Sequence, residues 1–341
     1  MLNDKIFDNA RKTDHLNVCI EKDVETNSTG YDNIKLIHKI LPEIDYDEID
    51  MKIDFLGKTM DCPIIIEAMT GGIPVATKIN KDFAAIAEEF NLGMGVGSQR
   101  PAIENPELAE TYQVRDAAPN ILLISNLGAV QLNYGYGAAE CKKCVDMIDA
   151  DAIALHLNPL QECIQNEGDR NFAGLIEKIN EVSKDLMQDN IPVIAKGIST
   201  GISPEIAKKL RVSAIDTGGV GGTSWALVEG YRGNGNIEIG KLFSNWGIPT
   251  AKCVAGLSSE IKVPIIASGG VRTGIDAAKS FALGANCVGM ALPFLKAWSS
   301  GGKSGVRNFL NNFITELKIA MFLTGSKTVD ELKGKFEKNS Q

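Results

Sequence analysis

The sequence predicts an α/β fold, a (β/α)8 TIM barrel with a polar N-terminal extension and a long loop after strand six. From Pro63 onward, eight short apolar runs alternate with stretches of helical periodicity. A glycine or a polar residue follows nearly every apolar run. Eight consecutive strand–helix units are typical of a closed parallel barrel rather than an open sheet.

The predicted strands and helices alternate along the chain. The predicted strands are Ile64–Ala68, Gly93–Val96, Ile121–Ser125, Ala152–His156, Val193–Ala195, Ala214–Asp216, Ile265–Ser268 and Cys287–Met290. The predicted helices are Lys78–Phe90, Pro106–Val114, Ala138–Asp149, Phe172–Asp189, Pro204–Leu210, Pro249–Ser259, Gly274–Leu283 and Val306–Leu323. Ser203 before Pro204 predicts a helix N-cap followed by proline at the first helical position.

Two segments fall outside these eight units. Residues 1–60 are polar and charged, with a turn predicted at 27–30, and we expect them to pack on or across the barrel domain of residues 61–341. Residues 223–247 carry five glycines and predict a long loop after strand six. A long loop on the carboxyl-terminal face of a barrel is often a lid.

Composition and charge narrow the class of protein. The chain has 341 residues, a formal net charge of −8 and no stripe of basic residues, which argues against a nucleic-acid partner. Its longest apolar runs are far shorter than the ~20 residues that span a bilayer, so no membrane partner is expected. The polar start of the chain lacks a secretory segment. We therefore expect a cytoplasmic protein.

Seven cysteines are scattered along the chain without paired spacings, which argues against a disulfide framework. Cys141 and Cys144 form one C-x-x-C motif. Without a second pair of ligands nearby, two ordinary thiols on a helix are the favoured interpretation over a zinc site.

The candidate binding and catalytic residues are those in the loops after the predicted strands, because the site of such barrels lies where the strands end. Residues 268–272, Ser-Gly-Gly-Val-Arg, follow strand seven, where glycine backbone and a helix N-terminus favour a phosphate group. A simple tight turn is the alternative. Lys196, Asn126 and Thr70 end three further strands and together indicate a flat ligand with polar edges.

The segment from His156 to Glu162 holds the most informative group of candidate site residues. It places an imidazole, two amides and one carboxylate directly after strand four. A single carboxylate suits a Mg2+ ion that keeps several waters and bridges to substrate phosphates. The alternative is a packed histidine and a solvated glutamate. Arg11, Lys12 and Arg100 are candidate phosphate ligands, although a solvated helix start would also explain the first two.

These motifs, in this order, resemble the type 2 isopentenyl-diphosphate Δ-isomerase family over roughly residues 10 to 295. The most specific are R-K-x-x-H at residues 11–15 and H-x-N-x-x-Q-E at residues 156–162. The others are M-T-G-G at 69–72, G-S-Q-R at 97–100, N-L-G-A at 126–129, G-G-T-S-W at 221–225, W-G-I-P-T-A at 246–251 and S-G-G-V-R at 268–272.

The resemblance implies a flavoenzyme that uses FMN in its reduced form, Mg2+ on the substrate diphosphate and NADPH as reductant. It implies the interconversion of isopentenyl and dimethylallyl diphosphate, by protonation at C4 and deprotonation at C2 without net redox change. A homo-oligomer, a tetramer or larger, is also implied.

The resemblance further implies a role for each matched residue. Substrate contacts are implied for Arg11, Lys12, Ser98, Gln99, Arg100, His156, Asn158 and Gln161. FMN contacts are implied for Ala68, Met69, Thr70, Ser98, Asn126, Lys196, Thr217, Thr223, Gly270, Val271, Arg272, Ala291 and Leu292. Glu162 is implied as the Mg2+ ligand, and His156 and Gln161 as catalytic residues. Gln161, an amide, is a poor base, so we assign it the positioning or relaying of a proton.

Two positions depart from the family pattern. Gly197 follows the strand-five lysine where an acidic residue is expected, and Thr217 stands where serine is commoner. Two rival functions are weaker. An α-hydroxy-acid oxidase or a dihydroorotate-type dehydrogenase would also be an FMN barrel, but no histidine precedes Gly269 as the oxidase requires. A non-catalytic FMN or phosphate sensor would not need Arg11, Lys12 or Glu162.

Overall fold

A closed parallel barrel forms the centre of the computed structural model, which describes residues 2–26, 28–233 and 235–337. The strands are β1 (Ile53–Phe55), β2 (Lys58–Met60), β3 (Ile64–Ile66), β4 (Gly93–Gly95), β5 (Leu123–Gly128), β6 (Ala152–Leu157), β7 (Val193–Gly197), β8 (Ala214–Asp216), β9 (Ile265–Ser268) and β10 (Cys287–Met290). Strands β3 to β10 pair in chain order, and β10 pairs with both β9 and β3. The predicted eight-stranded barrel is therefore confirmed.

Helices alternate with these strands and cover the barrel. They are α1 (Leu2–Glu21), α2 (Pro74–Phe90), α3 (Arg100–Glu104), α4 (Ala138–Ile148), α5 (Pro159–Ile164), α6 (Leu175–Gln188), α7 (Pro204–Ala207), α8 (Trp225–Tyr231), α9 (Ile237–Leu242), α10 (Thr250–Glu260), α11 (Gly274–Leu283) and α12 (Leu292–Leu323). Gly302, with φ 56° and ψ −148°, interrupts α12. In the described part of the chain, no helix is long and apolar enough to span a bilayer.

The segment after β4 differs from its predicted structure. Instead of one helix over Pro106–Val114, the structure has α3 followed by a 3-10 helix, Pro106–Thr111. Asn105 separates them with extended backbone, φ −136° and ψ 97°. A residue before proline is pushed out of the helical region, so Pro106 divides the segment into two short turns.

The predicted loop after β8 contains two helices, α8 and α9. Ser224 caps α8 by accepting from the Leu227 N–H, and Asn236 caps α9 by accepting from the Glu238 N–H. Such caps satisfy backbone donors that a loop would leave to water. The long segment predicted after strand six thus contains two short helices, and Asn234 within it lies outside the described residues.

The N-terminal segment contacts both ends of the barrel. Phe55 and Met60 of the β1–β2 hairpin are buried against residues that begin the barrel strands, among them Leu122 and Cys287. At the other end, Thr26 N–H donates to Gly222 O at 3.0 Å. Of the predicted turn at 27–30, Asn27 lies outside the described residues.

Candidate functional site

A cleft of about 150 Å3 opens where the barrel strands end. Most of the site residues predicted from the sequence lie in its wall. The lining residues are Arg11, Lys12, His15, Ala68, Met69, Thr70, Gly97, Ser98, Arg100, Pro101, Asn126, Gly128, Gln131, His156, Asn158, Gln161, Glu162, Gln165, Lys196, Ile198 and Trp225. The strands, α1 and α8 thus bring distant parts of the sequence to one opening.

Lys12 reaches the cleft from α1 and is fixed by Tyr112. The Lys12 ammonium donates to the Tyr112 hydroxyl at 2.8 Å and lies 5.4 Å from the centre of its ring. Tyr112 in turn donates to Ser98 O at 2.7 Å. Its ring packs against Gly71, where a Cβ would overlap it. Gly71 is therefore needed for Tyr112 to hold the lysine.

Glu162 is buried beside Asn158 at the start of α5. Its Oε1 accepts from Asn158 Nδ2 at 2.8 Å, and its Oε2 accepts from the Asp169 N–H at 2.7 Å. Burial raises the pKa of Glu162, although these two hydrogen bonds act in the opposite direction. Asn158 Oδ1 is buried and accepts no hydrogen bond from the described residues. Asn158 thus offers a buried amide oxygen without a partner among the described residues, next in space to a residue with a buried carboxylate.

Arg100 lies on the same side of the cleft, at the N-terminus of α3. Its guanidinium donates to Asp169 at 2.7 Å and to Glu104 at 2.8 Å. The Asp169 carboxylate also accepts from Gln131 at 3.0 Å. Arg100 is thus held at the edge of the cleft, with an exposed surface that an anion can reach.

Glu229, on α8, lies behind the cleft and orients side chains that line it, and the sequence did not single it out. Its Oε1 accepts from Gln161 Nε2 at 2.9 Å and lies 2.9 Å from His15 Nε2, while Arg232 donates to Oε2 at 2.7 Å. Burial favours a raised pKa for Glu229, but the hydrogen bonds from His15, Arg232 and Gln161 outweigh it and lower the pKa to about 2. The carboxylate is ionised and fixes the Gln161 amide.

His156 lies at the end of β6 as a neutral imidazole. Burial, and secondarily the charge of Lys196, lowers its pKa to about 4. Nδ1 lies 2.9 Å from Asn126 Oδ1. An amide oxygen only accepts hydrogen bonds, so Nδ1 carries the proton and Nε2 has a free lone pair.

Lys196, at the end of β7, lies between Glu67 and Asp216. Its ammonium is 2.6 Å from Glu67 Oε2 and also bonds Asp216 Oδ2. Thr70 lines the same cleft, and its Oγ1 is buried without a hydrogen-bond partner among the described residues. A lysine and an unsatisfied hydroxyl facing one cleft fit a ligand with polar edges.

The glycine-rich loops after β8 and β9 approach each other closely. A Cβ on Gly222 would overlap the Gly270 backbone nitrogen, and Gly270 has φ +94°. The Arg272 guanidinium, next to these glycines, donates to Glu25 at 2.7 Å, and Lys296 donates to the other Glu25 oxygen at 2.8 Å. This cradle of backbone and cations fits a phosphate.

Curated relatives share most of the chain. It is 45% identical to an isopentenyl-diphosphate delta-isomerase of Nostoc sp. over 332 residues, 95% of this chain and 94% of that protein. It is 47% identical to one of Pyrococcus furiosus over 338 residues, 95% of this chain and 84% of that protein. The chain belongs to the isopentenyl-diphosphate delta-isomerase family.

Other comparisons place this isomerase family member among FMN barrels. A family model described as FMN-dependent dehydrogenase matches residues 176–338, which supports FMN as cofactor. Among solved structures, a sulfite-bound flavocytochrome b2 superposes with a TM-score of 0.67 at 18% identity, covering 95% of this chain and 82% of that one. A mandelate oxidase with an FMN adduct gives 0.62 at 16%, covering 92% and 90%. These two similarities concern the fold.

Two residues predicted to contact a ligand of the isomerase have buried side chains with structural partners. Gln99 is fully buried, its Nε2 donates to Cys144 O at 2.8 Å, and its Oε1 accepts from the Asn126 N–H at 3.0 Å. Thr217 is also fully buried, and its hydroxyl exchanges two 2.9 Å hydrogen bonds with the Ser268 backbone. Both side chains stabilise the ends of neighbouring strands, which leaves only the backbone of these two residues available to a ligand.

The remaining expected FMN contacts lie away from the lining of the cleft. Val271 and Leu292 are buried, so only their backbone is available to a phosphate. Thr223 and Ala291 are half-buried, and Thr223 forms a backbone bridge with Glu25. Sequence reasoning missed Glu67, Tyr112 and Glu229. Only Glu67 carried a signal, as a charged residue at the end of an apolar strand.

Proposed function

We propose that this chain interconverts isopentenyl diphosphate and dimethylallyl diphosphate with reduced FMN and Mg2+. The convergence of Arg11, Lys12 and Arg100 with the segment from His156 to Glu162 around one cleft is the observation that carries the proposal. Three cationic side chains suit a diphosphate, and a carboxylate beside an amide oxygen suits the Mg2+ that accompanies it.

The diphosphate would lie between α1 and α3. Lys12 is already oriented by Tyr112, so less conformational entropy is lost when it binds an anion. With the Gln165 amide in the orientation that satisfies both its oxygen and its nitrogen, it accepts from Arg11 at 3.2 Å and donates to Glu229 at 3.1 Å, which orients Arg11. Both cations are therefore held in place before the substrate arrives.

Glu162 and Asn158 would hold Mg2+. In the described part of the chain, no three acidic, histidine or cysteine side chains group together as a metal cage. A Mg2+ ion here would therefore complete its shell with water and diphosphate oxygens, as this ion commonly does.

FMN would be held by Ala68, Met69, Thr70, Ser98, Asn126 and Lys196 at its ring, and by the backbone of residues 270–272 and 291–292 with Arg272 at its phosphate. Bound in reduced form, FMN supplies an electron-rich face beside the positive charge that develops in the substrate. Thr223 is half-buried beside Glu25 and directly follows the glycine-rich loop after β8, so it would join the phosphate contacts.

The proton shift would depend on Gln161 and His156. Glu229 fixes the Gln161 amide, so the amide can orient the allylic end of the substrate or pass on a proton. The neutral His156 presents its Nε2 lone pair as an acceptor, held in place by Asn126. Trp225 lines the cleft and reduces the access of water to the reacting carbons.

An anaerobic assay tests this function. The protein with FMN, Mg2+ and dithionite should convert isopentenyl diphosphate into dimethylallyl diphosphate, and omission of dithionite or Mg2+ should stop the conversion. Glu162→Gln should abolish it, whereas the control Glu167→Gln, on the neighbouring loop, should retain it. Bound FMN without isomerisation in the intact protein would contradict the proposal.

NADPH as reductant, a cytoplasmic location and a homo-oligomeric state complete the proposal. The described cysteines are all unpaired, which fits a reducing compartment. Anaerobic loss of the visible flavin absorbance on addition of NADPH would test the reductant. Light scattering after gel filtration would test the oligomeric state, and a monomer mass would contradict it.

A further inference from the structure

Lys196 is compensated by two buried carboxylates rather than one. Glu67 comes from the loop that follows β3, Lys196 from β7 and Asp216 from β8, and their exposed fractions are 7%, 6% and 1%. Glu67 Oε2 lies 2.6 Å from the ammonium, and Asp216 bonds it from the other side. The cluster thus holds one positive charge against as many as two negative charges.

Space for Glu67 is built into the neighbouring strand. Gly289 on β10 has no side chain, and a Cβ there would overlap Glu67 Oε1. That oxygen accepts no hydrogen bond from the described residues. Glu67, Lys196 and Asp216 also border a cavity of about 10 Å3 inside the barrel, about the space that one water needs. The absence of a side chain at Gly289 and the small cavity therefore leave room for the Glu67 carboxylate.

Lys196 connects this cluster to the cleft, since it lines both the inner cavity and the cleft above it. Gly197 follows it in the sequence, so the adjacent position supplies no carboxylate. Glu67, distant in sequence, supplies one in space.

We propose that Glu67 is a positioning residue that acts through Lys196 and makes the edge of the FMN ring facing the lysine less favourable for negative charge. This inference rests on the proposed function, in which Lys196 contacts the flavin. A lone lysine would stabilise a reduced flavin that has lost its N1 proton. With Glu67 and Asp216 ionised, the cluster is negative and the reduced flavin retains that proton more readily.

The charge of the cluster changes near neutral pH. Burial, and secondarily the charge of Asp216, raises the pKa of Glu67 to about 7. On β10, burial raises the pKa of the Cys287 thiol well above its ordinary value, so it stays uncharged. His156, beyond Lys196, is neutral above about pH 4. Among the described residues, the charges that act on Glu67 are thus those of Lys196 and Asp216.

The reduction potential of bound FMN tests the inference. At about pH 8, Glu67→Gln should raise the potential, so that the ratio of reduced to oxidised flavin at a fixed electrode potential increases about tenfold, or about 30 mV for two electrons. At about pH 6 the difference should shrink, because Glu67 is then protonated in the natural protein as well. The absorbance spectrum should shift in parallel towards anionic reduced flavin.

Two further variants serve as controls. Glu181→Gln removes a charge from the exposed face of α6 and should leave the potential unchanged. Glu67→Asp keeps the charge and should retain most of the natural behaviour. If circular dichroism shows that Glu67→Gln does not fold, Glu67→Met, of similar volume and without charge, replaces it.

The two proposals fail in different ways. If the natural protein binds no FMN by fluorescence titration, the proposed function is wrong. If it binds FMN and isomerises the substrate, but Glu67→Gln and Glu181→Gln have the same potential at about pH 8, the role of Glu67 alone is refuted.

Discussion

The Gln161 amide donates a 2.9 Å hydrogen bond to the buried carboxylate of Glu229, a residue 68 positions further along the chain. The same carboxylate lies 2.9 Å from His15 Nε2. One negative charge on α8 therefore orients side chains from α1 and α5 that both line the cleft. This arrangement makes the geometry of the proposed proton shift dependent on a residue that does not itself line the cleft.

Glu229→Gln should reduce kcat about tenfold or more while KM changes little. The new side chain is an uncharged amide, so it holds His15 and Gln161 less strongly than the carboxylate does. The control is Glu167→Gln, which removes the exposed partner of Arg232 and should leave kcat near its natural value. Steady-state kinetics at saturating Mg2+ measures both. A rise in KM alone would contradict a positioning role, as would full activity and an unchanged pH profile in Gln161→Glu.

Lys12→Met should raise KM for the diphosphate substrate about tenfold to a hundredfold, because a charge-assisted contact to phosphate is lost. Lys22→Met, an exposed lysine just beyond α1, is the matched control. The initial rate at varied substrate concentration gives the result. An unchanged KM would remove Lys12 from the proposed substrate site.

Gly71→Ala should destabilise the protein by about 1–3 kcal/mol and raise KM, because the new Cβ displaces the Tyr112 ring that holds Lys12. Gly301→Ala adds the same methyl group within α12, where its Cβ would meet no atom from another part of the protein within 4 Å, and should neither destabilise the protein nor raise KM. Urea unfolding and kinetics check the pair. Equal stability of the two variants would show that Tyr112 is not constrained by Gly71.

Stability should fall as the pH drops from about 6.5 towards 4, in part because of His156. Its pKa is 6.5 unfolded and about 4 in the folded protein, so the unfolded chain binds the proton first. The cost reaches about 3 kcal/mol below pH 4 and is absent above pH 6.5. Melting temperatures across this range should be flatter for His156→Asn. Parallel curves for both proteins would refute the buried neutral imidazole.

The barrel could be predicted from sequence because its strands are continuous apolar runs that end in glycine or polar residues. The short segments were harder. The predicted helix that begins at Pro106 is a short 3-10 helix preceded by α3, and the caps Ser224 and Asn236 start helices in a segment whose glycines indicated a loop. Local hydrogen bonds determine the conformation of such short segments, and the spacing of apolar residues does not reveal these bonds.

Most of the site could be predicted as a set of residues, but their division between ligand contacts and structural support could not. Gln99 and Thr217 follow or end strands like the cleft residues, yet their side chains satisfy the backbone of neighbouring strands. Glu229 lies within α8, where a buried carboxylate is not distinguishable in sequence from a solvated one. Such distinctions depend on contacts between residues far apart in the chain.

The β1–β2 hairpin covers one end of the barrel, and the cleft opens at the other end. Phe55 and Met60 pack against the end of the barrel at which the strands begin, so the small cavity beside Glu67 lies between this hairpin and the cleft. A ligand bound in that cleft would shield the interior of the barrel from solvent at this end. The interior would then exchange hydrogen for deuterium slowly in the liganded enzyme and faster in the empty one, which makes isotope exchange deep in the barrel a report on what occupies its entrance.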